Sequence, residues 1–154
     1  MKSEIAIFGA GCFWGVELAY SKIKGVIATS VGYMGGETKN PTYNDVCTNK
    51  TGHAEVVKVE FDSSIVNYEE LVDIFWKVHD PTTLNRQGWD VGTQYRSVIF
   101  YHDDEQKQIA IKSRDREQEL ISGGKEIVTK IVHSEKYNLA EEYHQKYLEK
   151  ESNI

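Results

Sequence analysis

Six segments of alternating hydrophobic period constrain what this chain can become. Ile5, Ala6, Ile7 and Phe8 form a short apolar run closed by Gly9 and Gly11, which predicts a buried strand ending in a tight turn. From Cys12 the period changes: Phe13, Val16, Ala19, Tyr20 and Ile23 recur at helical spacing, and Gly25 is a natural stop. Val26 to Tyr33 predicts a second strand and His53 to Phe61 a third. Asn67 is placed to cap a helix, with Glu70 as capping-box partner and Leu71, Phe75 and Val78 as the inner stripe; Asp80-Pro81 ends it. Tyr95 to Tyr101 predicts a fourth strand. The order strand, helix, strand, strand, helix, strand predicts an α+β two-layer sandwich with a ferredoxin-like split βαβ core. The rest reads as C-terminal additions: a charged helix over Glu105 to Ile121 forming a solvated face, an edge strand over Ile127 to Val132, and a last helix over Ala140 to Leu148.

Met34 to Gly52 is long for a connection in a small domain, and such loops are often functional. Within it, Asn40-Pro41-Thr42-Tyr43 predicts an N-cap at Asn40, proline at the first helical position and one short turn of helix.

The 154 residues, with 40% hydrophobic and only two prolines, suit a single domain over residues 1–154 with a real core. A net charge of −6 argues against a nucleic-acid footprint and for a monomer. Two cysteines are too few for a disulfide framework, which points to a reducing cytoplasm. Gly9-Ala10-Gly11-Cys12 faintly resembles a lipoprotein cleavage site, but Glu4 and the short apolar stretch oppose that reading, and no membrane span is expected.

Cys12 is the first candidate for chemistry. It follows a glycine turn at a helix start, where unpaired N–H groups and the helix dipole favour the thiolate. The plainer alternative is a small buried hydrophobe. Glu55 is the second: strand alternation sets it on the face of Val57, Val59 and Phe61, where burial raises a carboxyl pKa and makes a proton donor. A frayed, wet strand end would remove that role. Tyr43, Asp90 and Tyr95 matter only if they converge on Cys12. Three rival readings compete. Gly9-Ala10-Gly11 with Gly15 mimics a dinucleotide fingerprint, although the spacing misses its last glycine and Phe13 and Trp14 put bulk where a pyrophosphate needs bare backbone. Cys12 with His53 or His79 could be a thiol-hydrolase pair. Cys47 with His53 could suggest a metal site, but no tight ligand pair accompanies them.

Gly11-Cys12-Phe13-Trp14-Gly15, Gly32-Tyr33 with Gly35-Gly36, Asn40-Pro41-Thr42-Tyr43 and Gly52-His53-Ala54-Glu55 resemble the A-type peptide methionine sulfoxide reductases. His79-Asp80-Pro81, Gly92-Thr93-Gln94-Tyr95-Arg96-Ser97 and Tyr143-His144-Gln145 extend the match, in the family's order, over nearly the whole chain. The resemblance implies that Cys12 attacks the sulfoxide sulfur and is left as a sulfenic acid, and that Glu55 protonates the departing oxygen. It implies that Tyr43 and Tyr95 hydrogen-bond that oxygen, that Asp90 belongs to the same pocket, and that Phe13 and Trp14 hold the S-methyl group. Selectivity for the S epimer and the absence of any bound metal, flavin or nicotinamide are implied too. Many family members carry recycling cysteines in a tail. Here the tail Lys150 to Ile154 has none, so the expected resolving group is Cys47 or an external thiol: thioredoxin, glutaredoxin or glutathione.

Overall fold

The computed structural model describes residues 2–121 and 123–152. The ends of the expected domain over 1–154, including the last two residues of the tail, lie outside them. Strand β1 (Ser3–Ala10) leads through Gly11 into helix α1 (Phe13–Ser21), followed by β2 (Val26–Met34), the short α2 (Tyr43–Cys47), β3 (Ala54–Asp62) and α3 (Tyr68–Val78). A small hairpin of β4 (Arg86–Gln87) and β5 (Asp90–Val91) and a 3₁₀ turn (Thr93–Tyr95) precede β6 (Ser97–Tyr101). Then come α4 (Asp104–Leu120), β7 (Lys130–His133), β8 (Asn138–Leu139), a second 3₁₀ turn (Glu142–His144) and α5 (Tyr147–Ser152).

The main sheet runs β7-β6-β1-β3-β2-β8. Its central four strands are antiparallel neighbours, with β3 between β1 and β2, which is the ferredoxin-like order the periodicity predicts. Alternation divides the strands cleanly between two faces. Phe8, Val31, Tyr33, Val57, Val59, Phe61 and Ile99 meet Val16 and Tyr20 of α1 and Leu71 and Phe75 of α3. Ile7, Met34, Val56, Val98 and Phe100 form a smaller cluster with Ile5 and Tyr137. The dinucleotide reading fails on this topology: a Rossmann unit needs parallel neighbours, whereas β1 is flanked by β3 and β6, both antiparallel to it.

Asn67 caps α3 by accepting the Glu70 N–H at 2.8 Å. The cap expected at Asn40 lies instead at Thr42, which exchanges capping-box bonds with Asp45; Asn40 takes a left-handed turn (φ 47°) before it. Helix α4 is not merely a solvated face. Its small residues Ala110 and Ser113 are buried, and Ser113 accepts the Trp76 indole N–H at 2.8 Å. The edge strand is β7, parallel to β6 and starting three residues later than expected.

The largest correction is at the C-terminus, where Ala140 to Leu148 is not one helix. Gln145 uses its side-chain amide as a substitute strand, accepting from Val31 N–H at 2.8 Å and donating to Val31 C=O at 2.9 Å. Buried Glu17 of α1 accepts the Lys146 N–H at 2.6 Å and the Thr29 hydroxyl at 2.9 Å. Bonds to β2 and α1 thus outcompete helical bonds within the segment. Among the described residues no helix is long and apolar enough to cross a membrane.

Candidate active site

Cys12 is the N-cap residue of α1 and is half-buried. Gly11 reaches φ 97° to turn the chain there, and a Cβ on it would meet Cγ of Gln87 at 2.7 Å. Only glycine therefore lets the β4–β5 hairpin close over the nucleophile's loop. The Cys12 thiol is held at about pKa 11. Burial is the main cause; the Trp14 and Gly15 N–H groups pull it down, while the charges of Glu55 and Asp90 push it further up. The expectation that a helix start would make a resting thiolate is corrected here, because desolvation outweighs two N–H groups.

Glu55 stands on β3 opposite Tyr33 of β2 and is 1% exposed, so the frayed-end alternative is ruled out. One carboxyl oxygen accepts the Phe13 N–H at 3.2 Å, which ties the acid to the first residue of α1; the other is buried with no partner. Burial pushes the Glu55 carboxyl up to about 8, with the charge of Asp90 adding to it and the Phe13 bond opposing it. It is a protonated acid at neutral pH.

The scattered polar groups converge. Tyr95, pushed up to about 12 by burial, lies in the fields of Glu55, Cys47, Asp90 and Cys12. Tyr43, well above its ordinary range through burial and its bond with Cys47, lies in those of Tyr95 and Glu55. Both hydroxyls keep their protons as donors. Asp90 is exposed on β5, and its charge reaches Cys12, Glu55 and Tyr95. Phe13 is buried between Tyr33 and His144, with ring centroids at 5.8 and 5.2 Å. Trp14, half-buried, stacks on Tyr147 at 3.9 Å and donates its indole N–H to His144 Nδ1 at 3.0 Å.

Cys47 is exposed at the end of α2, and the Tyr43 hydroxyl donates to it. The histidines are committed elsewhere. His53 accepts from Gly36 N–H at 3.0 Å and donates to Thr38 C=O at 2.7 Å. His79, pushed down to about 4 by burial, bonds Phe75 C=O and the Ser97 hydroxyl, each at 2.7 Å. Neither is available as the base of a thiol hydrolase, and His53 has no ring nitrogen left for a metal.

Sequence reasoning missed Glu141. Its carboxylate accepts the Tyr33 hydroxyl and the Tyr43 N–H, each at 2.9 Å, and so holds α2 over the sheet. His144 and Tyr147, which brace Trp14, were missed as well. Tyr143-His144-Gln145 stood out as a motif, but nothing in its spacing assigned these contacts.

A thiol at a helix start, a buried acid bonded to that helix and two protonated phenols thus share one electrostatic neighbourhood on a split βαβ sandwich. The sequence model of the family "Peptide methionine sulfoxide reductase" matches residues 4–154. The chain is 63% identical over 147 residues to the peptide methionine sulfoxide reductase MsrA of Methanothermobacter thermautotrophicus, covering 96% of this chain and 87% of the relative. Methionine sulfoxide reductase A of Corynebacterium diphtheriae superposes with a TM-score of 0.93 at 38% identity, covering 97% of this chain and 76% of that one. Mxr1 of Saccharomyces cerevisiae in complex with Trx2 gives a TM-score of 0.67 at 26% identity, covering 95% and 85%. The chain belongs to the peptide methionine sulfoxide reductase family.

Proposed function

We propose that this chain reduces the S epimer of methionine sulfoxide, free or in proteins, with Cys12 as nucleophile and Glu55 as acid. The observation that carries the reading is Glu55 itself: a carboxyl that burial keeps protonated near neutral pH, bonded to the residue after Cys12. Sulfoxide oxygen is a poor leaving group until it is protonated. Glu55 supplies that proton while Cys12, its own proton already released to solvent, attacks the sulfoxide sulfur as thiolate, and solvent then reprotonates Glu55. Oxygen passes to Cys12 as a sulfenic acid, methionine sulfur gains the electron pair, and atoms balance without a bound cofactor. Tyr43 and Tyr95 donate to the oxygen as charge grows on it, and Asp90 completes the polar side. Phe13 and Trp14 form the methyl slot, which presents the sulfur of one epimer only.

An external thiol returns Cys12 to the reduced state: thioredoxin first, as the yeast relative's solved complex with Trx2 supports, and glutaredoxin or glutathione by the same chemistry. The reaction suits a monomer in the reducing cytoplasm. The test is one turnover on each epimer without reductant, followed by mass spectrometry. One equivalent of methionine from the S epimer only, a sulfenic-acid adduct on Cys12 and a still alkylatable Cys47 are expected. Equal yields from both epimers would sink the stereochemical assignment; a Cys12–Cys47 disulfide would move recycling into the chain.

Tyr43→Phe and Tyr95→Phe should each lower kcat only mildly, about threefold to tenfold, because either hydroxyl can serve the oxygen alone. The double variant should lose more than the product of the two, since the pair shares one acceptor. Strictly additive small losses would mean that the rings only pack.

A further inference from the structure

Trp89 is 98% exposed at the tip of the β4–β5 hairpin. Gly88 (φ 58°) and Trp89 form its two-residue turn between the paired Gln87 and Asp90. A turn whose first residue takes positive φ needs glycine there and accepts nearly anything second, so the turn does not require an indole. The hairpin that carries it is well tied. Arg86 Nη2 donates to Gly88 C=O at 2.8 Å, Gly92 N–H to Asn85 C=O at 2.9 Å, and Asp80 N–H to the Gln87 side-chain oxygen at 2.9 Å. Trp89 is therefore presented from a fixed position. Its neighbour Asp90 acts electrostatically on Cys12 and Glu55, and Val91 on the far side of Asp90 is also exposed. Gln87, the strand partner of Asp90, packs against Gly11 beside Cys12, so the hairpin that exposes Trp89 and Val91 borders the nucleophile's loop.

We propose that Trp89, with Val91, binds the residues flanking an oxidised methionine in an unfolded polypeptide and selects segments with a large apolar side chain next to the sulfoxide. The inference rests on the sulfoxide-reductase reading above and names its preferred substrate class. A free amino acid has no residues flanking the sulfoxide, whereas a chain advances about 3.3–3.6 Å per residue and carries its neighbouring side chains along the hairpin. Methionine is mostly buried in folded proteins, so the segments that present its sulfoxide in an unfolded chain also uncover their apolar side chains. The scale fits a peptide: one indole offers about 150–250 Å², enough for one or two side chains, while a protein reductant needs about 800 Å² per partner.

The test compares wild type, Trp89→Ala and Trp89→Phe with dithiothreitol as reductant, which removes any protein reductant from the assay. The substrates are N-acetylmethionine S-sulfoxide, a pentapeptide with leucine on each side of the sulfoxide, and the same pentapeptide with glycine there. Trp89→Ala should raise KM for the leucine peptide about tenfold at unchanged kcat, with the other two substrates within about twofold, and Trp89→Phe should recover most of the loss. Equal losses on all three substrates would make Trp89 a support for Asp90 only, and no loss on any would leave it idle; either result overturns the proposal. A loss that appears only when thioredoxin replaces dithiothreitol would overturn it in favour of reductant docking. Wild type inactive on every sulfoxide would sink the underlying reading instead.

Discussion

Cys12→Ser is expected to yield no methionine above background in a single turnover, a loss on the order of 10⁶ if this nucleophile acts as a unit with its partners. Sulfur can take the sulfoxide oxygen as a sulfenic acid; a serine oxygen would have to form an O–O bond. The protein should stay folded, since the Cys12 side chain makes no capping bond and serine is a favoured N-cap residue. The variant should melt at or above the wild-type temperature, so a dead enzyme cannot be blamed on unfolding. Near-wild-type methionine yield from this variant would remove Cys12 as the nucleophile.

Glu55→Ala should lower kcat by about 10²–10⁴-fold, the ordinary range for a general acid, and Glu55→Gln should lose less because its amide still donates to the oxygen. The pH profile separates an acid from a packing residue. The reactive form carries one proton, on Glu55 and not on Cys12. With both groups protonated at neutral pH, its population rises with pH until Glu55 titrates near about 8, then stays level until Cys12 titrates near about 11. Wild-type kcat/KM should therefore climb to a shoulder at about 8. Glu55→Gln should show no shoulder and keep climbing toward the titration of Cys12. The same carboxyl burdens the fold. Its native pKa is raised above the ordinary 4.5, so the unfolded chain releases a proton that the native state keeps, and stability falls as pH rises from about 4.5 to about 8. The stability gap in favour of Glu55→Gln should widen over that window and be constant above it. A wild-type rate and shoulder in Glu55→Ala would return Glu55 to the rank of a buried strand residue.

The readable parts of the sequence were those where one local signal faced no competitor. Continuous or alternating apolar runs located β1, β2, β3 and β6, and alternation alone put Glu55 on the buried face with Val57 and Val59. Asn67 had no rival as the cap of α3. At Asn40 two caps competed, and Thr42 prevailed because Asp45 can return its bond. The β4–β5 hairpin has strands of two residues, too short to show a period, so only the glycine of its turn could have betrayed it. The acidity of Cys12 depends on a balance between burial and N–H groups, and burial is a property of the assembled fold. Glu141, Gln145 and Glu17 bond across 98 to 129 positions of chain, beyond the reach of local reasoning.

Those distant bonds separate the moment the sheet forms from the moment the site is finished. The nucleophile is laid down at residue 12, but the His144 and Tyr147 rings that hold Trp14 arrive some 130 residues later. A chain emerging in order can pair β1 with β3 and seat α1 well before the segment around Gln145 exists to latch onto Val31. A chain that has emerged only as far as the sheet therefore carries Cys12 beside a Trp14 that nothing yet braces. In terms of contact order, the contacts that brace Trp14 span more of the chain than the strand pairings that carry the site.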